Sequence, residues 1–80
     1  MWIRSNDRLI RCNGVRVRSF NHSDGKSTYE VLVDNGVKEV IVFCTGCYAE
    51  ALEVVDRVAA SLKLREGLVD LSERGSIYEV

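Results

Sequence analysis

Val37-Lys38-Glu39-Val40-Ile41-Val42-Phe43-Cys44 runs through Thr45-Gly46-Cys47 into the segment Tyr48 to Lys63. This stretch decides the fold. Val40-Ile41-Val42-Phe43 is β-branched or aromatic throughout, and such side chains pack well on a pleated surface, so Val37–Cys44 reads as a strand. Beyond Cys47 the apolar period changes to 3.6. Ala51, Leu52, Val55, Val58, Ala59 and Leu62 fall on one face, while Glu50, Glu53, Asp56, Arg57 and Lys63 fall mostly on the other. The pattern predicts one amphipathic helix of about 16 residues. Thr45 and Cys47 compete as its N-cap; Cys47 stands three residues before Glu50, where a serine or threonine would complete a capping box. Acids in the first turns and Lys63 and Arg65 in the last suit the helix dipole. Gly67 is the expected stop signal.

Upstream, short runs alternate with turn signals. Trp2-Ile3 starts a strand, Ser5-Asn6-Asp7 is a turn, and Arg8–Cys12 is a second strand. Asn13-Gly14 is the favoured type I′ pair and predicts a hairpin. Val15-Arg16-Val17-Arg18 alternates apolar with charged, the mark of a half-buried strand reaching Phe20 or just beyond. Ser23-Asp24-Gly25-Lys26 is the next turn. Tyr29, Val31 and Val33 alternate with Glu30, Leu32 and Asp34, and Asn35-Gly36 closes another hairpin. Downstream of the helix, Leu68–Leu71 reads as a short strand, 72–76 as a loop and Ile77–Val80 as an edge strand. The fold class is α+β: an antiparallel β-meander of four to six strands packed by one amphipathic α-helix.

Eighty residues form a single α+β domain, 1–80, with 46% hydrophobic and 29% charged residues and a net charge of −1. A chain of this mass buries about 60–65% of its surface on folding, enough for one modest core and little internal substrate space. Neither disorder nor a strongly charged partner is announced by the totals. The distribution is uneven: Arg4, Arg8, Arg11, Arg16 and Arg18 face only Asp7 in the first 18 residues, whereas the last third is acidic. No apolar stretch has signal-peptide or membrane-spanning length, and three cysteines is an odd count, so reduced thiols in the cytoplasm and no membrane partner are expected.

The Met1-Trp2-Ile3-Arg4 opening, the strand meander and Glu50-Ala51-Leu52-Glu53-Val54-Val55-Asp56 resemble a loose group of short uncharacterised proteins of bacteria, largely Gram-positive, and their phages. The resemblance implies a sheet with one helix. It implies no activity and carries over no functional residues.

Three chemistries are worth weighing. Cys44-Thr45-Gly46-Cys47 has the redox spacing at a helix N-terminus, where a thiol pKa is lowered. Its strand and helix look like the active-site segment of thioredoxin-like proteins, but hairpins stand where a strand–helix unit should precede, and no proline exists to supply a cis-Pro loop. Cys44, Cys47, Cys12 and His22 could together supply a Cys₃His zinc set, although a zinc ribbon usually shows two Cys-x-x-Cys knuckles. Arg4, Arg11, Arg16 and Arg18 with Trp2, Phe20 and Tyr29 could form a sheet face that stacks on single-stranded nucleic acid; a pI near 5.8 speaks against it. One histidine leaves little scope for general acid–base work, and no Walker or Gly-x-Gly-x-x-Gly pattern is present. No enzyme activity and no cofactor are expected.

The feature that asks for a partner is apolarity on both sides of one strand. A single helix covers one face of a sheet, and a wet second face should alternate cleanly. Val40-Ile41-Val42-Phe43 and Leu32 breach that rule. Leu32, Val40, Ile41, Val42 and Phe43 are therefore the candidate interface, and a homo-oligomer or a protein partner is expected.

Overall fold

The structure, a computed structural model, describes residues 1–5 and 7–71. The expected turn residue Asn6, the loop 72–76 and the edge strand Ile77–Val80 lie outside the described residues. The elements in chain order are β1 (Trp2–Ser5), β2 (Arg8–Arg11), β3 (Gly14–Asn21), β4 (Ser27–Asp34), β5 (Glu39–Thr45), α1 (Tyr48–Lys63) and β6 (Leu68–Asp70). They form an α+β fold with two three-stranded sheets, ordered β2-β1-β6 and β3-β4-β5. All pairings are antiparallel except β1 with β6, which is parallel. That parallel pair needs a crossover, and the strands β2 to β5 with the helix provide it.

Asn13-Gly14 does not close a hairpin. The strands on either side of it pair with different neighbours, β2 with β1 and β3 with β4. The Cys12 N–H donates to the Met1 carbonyl and the Asn13 N–H to the Asp34 carbonyl. Successive N–H groups of an extended chain point to opposite edges, so the strand changes partner at this junction. A type I′ turn needs positive φ at both central residues, and neither Asn13 nor Gly14 has it. The other two turns are hairpins. Gly25 (φ 84°) and Gly36 (φ 97°) adopt the left-handed region. Asp24 accepts from the Lys26 N–H, and Asn35 Oδ1 accepts from Val37 and Lys38.

The helix begins and ends without the side chains that usually mark those places. Cys47 is the N-cap residue and makes no side-chain cap bond; its own N–H donates to Thr45 Oγ1 at 3.1 Å. At the other end Arg65, not glycine, takes the left-handed conformation (φ 57°). The Arg65 N–H donates to Leu62 and the Glu66 N–H to Ser61, which is the Schellman pattern. Gly67 lies beyond the stop.

The buried helix residues are Ala51, Val54, Val58 and Ser61. The face is thus turned from the expected one, with Leu52 half-buried and Ala59 exposed. Ser61 is tolerated inside because its hydroxyl donates to Glu66 Oε1 at 3.3 Å, which offsets the penalty of burying a polar group. These residues share one core with Ile3, Ile10 and Val69 of the first sheet and Val31, Val33, Val42 and Phe43 of the second. Tyr29 and Tyr48 extend it, their rings 5.2 Å apart. No described helix is long and apolar enough to cross a membrane.

Candidate functional site

The residues expected to meet a partner through β5 are divided between core and surface. The register of β4 on β5 shifts between Val31 and Leu32, pairing them with Phe43 and Ile41 and leaving Val42 as an extra residue. This β-bulge lets neighbouring side chains reach the same side. Val42 and Phe43 are both fully buried in the core, and Val40 packs against it. Leu32 and Ile41 point to the opposite face. The breach of alternation in β5 is therefore largely the signature of a bulge, a correction to its reading as a second apolar face.

Leu32 has a cover of its own. It lies between Arg16 on β3 and Ile41 on β5 in the register. Arg16 reaches over β4 to Glu39 on β5, donating through Nε to one carboxylate oxygen and through Nη2 to the other, the latter at 2.7 Å. Leu32 beneath this clasp is only 3% exposed. Long arginine stems cover apolar surface in this way while the head stays in water. Arg18 is likewise held by Glu30 Oε1, at 3.0 Å from Nε and 2.7 Å from Nη2.

The four arginines proposed for nucleic acid are thereby separated. Arg16 and Arg18 lie on the outer face of β3-β4-β5 and each is engaged by a carboxylate. Arg4 and Arg11 lie on the other sheet.

The thiol candidates are scattered too. Cys12 is buried, its Sγ donating to the Gly14 carbonyl at 3.5 Å. Cys44 is half-buried on the outer face of β5, opposite Glu30. Cys47 is exposed at the helix start. His22 sits at the tip of the β3–β4 hairpin, its Nε2 2.7 Å from Thr28 Oγ1 and its ring beside Phe20. Among the described residues no three His, Cys, Asp or Glu side chains come together to hold a metal ion, so Cys44, Cys47, Cys12 and His22 do not form one set. Burial first, and the Glu30 charge second, push the Cys44 thiol above its ordinary value. A nucleophilic or redox thiol needs the opposite shift.

The surface that sequence reading caught only in part, through Trp2, Arg4 and Arg11, is the outer face of β2-β1-β6. Pairing β1 with β2 and β6 arranges six side chains in two rows. One row is Arg11, Trp2, Leu68; the other is Leu9, Arg4, Asp70. Alternate residues Ile3, Ile10 and Val69 point inward to the core, which fixes the outward direction of these six. Trp2 is 45% exposed, Leu9 58% and Leu68 49%. A shallow depression at one end of this face is lined by Arg4, Asp7, Arg8, Leu9 and Leu68. The other large exposed apolar side chains are dispersed: Phe20 and Val37 at hairpin ends, Tyr48 and Leu64 at the two ends of the helix. The signal was present as Trp2 and Leu9 in a basic segment. Leu68 is more than fifty residues away, and only the parallel β1–β6 pairing brings it alongside.

Comparison with known protein families, curated proteins and solved structures gives no match.

Proposed function

We propose that this chain is a small protein-interaction module that docks through the outer face of β2-β1-β6. The observation that carries the reading is the clustering of Trp2, Leu9 and Leu68, each about half exposed, on three adjacent strands. Single exposed apolar residues are ordinary, but a contiguous group rimmed by charge marks an interaction surface. Tryptophan and arginine are the residue types that anchor interfaces, and here Trp2 stands beside Arg11 in the register and next to Arg4 along its row's neighbour. A protein partner suits this face better than a nucleic acid does. It offers one aromatic platform where single-strand binders stack several bases.

Site-specific photo-crosslinking in cells tests the reading. A photoreactive amino acid replaces Leu9, with a second variant carrying it at Leu64, which is exposed elsewhere. The expected result is a protein adduct of discrete mass from position 9, absent from position 64 and lost on adding Trp2→Glu. Nucleic-acid adducts, equal labelling from both positions, or no adduct at position 9 would overturn it.

A further inference from the structure

We infer that this face takes its partner along the free edge of β2, by adding an extended protein segment with an acidic residue beside Arg11 and an apolar one beside Leu9. The inference rests on the reading of that face as a docking surface. Its ground is the direction of the backbone groups in β2. The Cys12 N–H donates to the Met1 carbonyl, so Cys12 and, by alternation, Ile10 and Arg8 turn their backbone groups toward β1. Leu9 and Arg11 turn theirs the other way. The bonds to β6 agree. The Trp2 N–H donates to the Gly67 carbonyl and the Arg4 carbonyl accepts from Leu71, so the register partners of Arg11 and Leu9 are bonded away from β2. The Asn13 N–H lies on the same edge as those of Leu9 and Arg11, and it donates to Asp34 at the end of β4. β4 therefore lines this edge as far as Asp34 and then turns away through Asn35-Gly36 into β5. Farther along, the N–H and C=O groups of Leu9 and Arg11 face no strand among the described residues.

An unpaired edge is a template for another strand. Peptides captured in this way are held by main-chain bonds and selected through alternate side chains. A segment that continues the line of β4 runs antiparallel to β2. Its residue opposite Arg11 comes two positions before its residue opposite Leu9, and both stand on the outer face. They extend the rows Arg11–Trp2–Leu68 and Leu9–Arg4–Asp70 by one member each. Charge selects the first of them. Arg11 makes no ion pair among the described residues, whereas Arg16 and Arg18 on β3 are held by Glu39 and Glu30. An acidic cross-strand neighbour is thus favourable at Arg11. Leu9, 58% exposed, selects an apolar side chain at the second position.

The other open edges suit a guest strand less well. The bulge at Val42 breaks the spacing of β5, β6 has three residues, and the arginines of β3 are already engaged. The β2 edge is short as well, about 13 Å for its four residues. One end is bounded by the Asn35-Gly36 turn, where a Cβ on Gly36 would stand 3.1 Å from the Asn13 side-chain nitrogen. Two residues with one donor and one acceptor each hold the guest, so an isolated peptide binds weakly, with a dissociation constant on the order of 1 mM.

Amide NMR of the full chain tests the arrangement, by titration to about 5 mM, above that value, with a capped octapeptide. Its four central residues are glutamate, valine, leucine and valine, flanked by serine and threonine. The Leu9 and Arg11 amides are expected to shift and to become slow to exchange with solvent. Methylating the backbone nitrogen of the peptide's leucine abolishes binding, because that N–H points at β2. Methylating the valine before it, whose N–H points away, leaves binding intact. Arg11→Glu weakens the peptide by about fivefold and comes to favour a peptide with lysine in place of glutamate. Arg11 is exposed, and circular dichroism of the helix verifies that the variant is folded. Unmoved Leu9 and Arg11 amides, equal effects of the two methylations, or a charge preference that Arg11→Glu does not alter overturns the inference. So do Leu9 and Arg11 amides that exchange slowly before peptide is added, which would put residues 72–80 or a second copy on this edge. If the peptide leaves β2 untouched but the crosslinker at position 9 captures a protein, the edge addition is wrong and the docking face stands. If position 9 captures no protein, both fall.

Discussion

Arg16 explains why a leucine on the outer side of a sheet can be dry without a partner. Its bidentate bond to Glu39 crosses the middle strand and roofs Leu32. The Arg16 guanidinium holds the Glu39 carboxyl below its ordinary value of 4.5. A carboxyl whose pKa is lowered by folding stabilises the fold above its unfolded value, and that contribution disappears as pH falls through the folded one. The window is therefore below about pH 4.5. Glu39→Gln is expected to flatten the fall in thermal midpoint between pH 5 and pH 3, and added salt to shrink the difference, because both partners are well exposed. An equally steep fall in the variant would show that the clasp adds nothing. The alternation of Val15-Arg16-Val17-Arg18 made the outward direction of Arg16 legible in the sequence. Its partner was not legible, since Glu39 lies 23 residues away on a strand whose register no local pattern fixes.

At the scale of elements, the strand–helix succession through Cys44–Tyr48 was legible because the apolar period changes there. The side of β5 that each residue occupies was not, because a bulge adds one residue without leaving a mark in composition. This has a direct consequence for mutation. Val42→Lys places a charge in a fully buried site and is expected to cost several kcal/mol, most of the roughly 4–12 kcal/mol an 80-residue domain commands. Its helical dichroism should collapse at room temperature, whereas Ile41→Lys, half-buried on the outer face, keeps its helix. Equal loss in both would contradict the bulge. The helix face was blurred for a related reason. Ala51, Leu52, Val54, Val55, Val58, Ala59, Ala60 and Leu62 make an apolar arc too wide to centre by eye, and Ser61 fits inside only through its bond to Glu66. Cys47 occupies the N-cap with extended φ and ψ of −111° and 115° but no cap bond. Cys47→Asp supplies an acceptor and a favourable charge at the dipole's positive end, and should stabilise the fold by about 0.5–1.5 kcal/mol. Thermal denaturation would register this as a rise of several degrees; an unchanged midpoint would mean that Thr45 already satisfies the first turn.

At the scale of the whole molecule, one core is shared by two sheets and a helix, and the outward faces of those sheets have opposite characters. The face of β3-β4-β5 is closed by its own ion pairs, Arg16 with Glu39 and Arg18 with Glu30. The face of β2-β1-β6 leaves a tryptophan and two leucines half exposed. The two-faced strand was conspicuous along the chain, whereas the open face is assembled from three segments joined by one parallel pairing.

The most direct measurement is a series of two-dimensional NMR spectra of the isotope-labelled chain with increasing amounts of unlabelled cell lysate. The account expects progressive shifts of the Trp2 indole N–H, the Leu9 and Leu68 methyls and the β1, β2 and β6 amides, with the outer face of β3-β4-β5 unmoved. Shifts centred on Ile41 and the Arg16–Glu39 clasp, or spectra unchanged across the series, would contradict it.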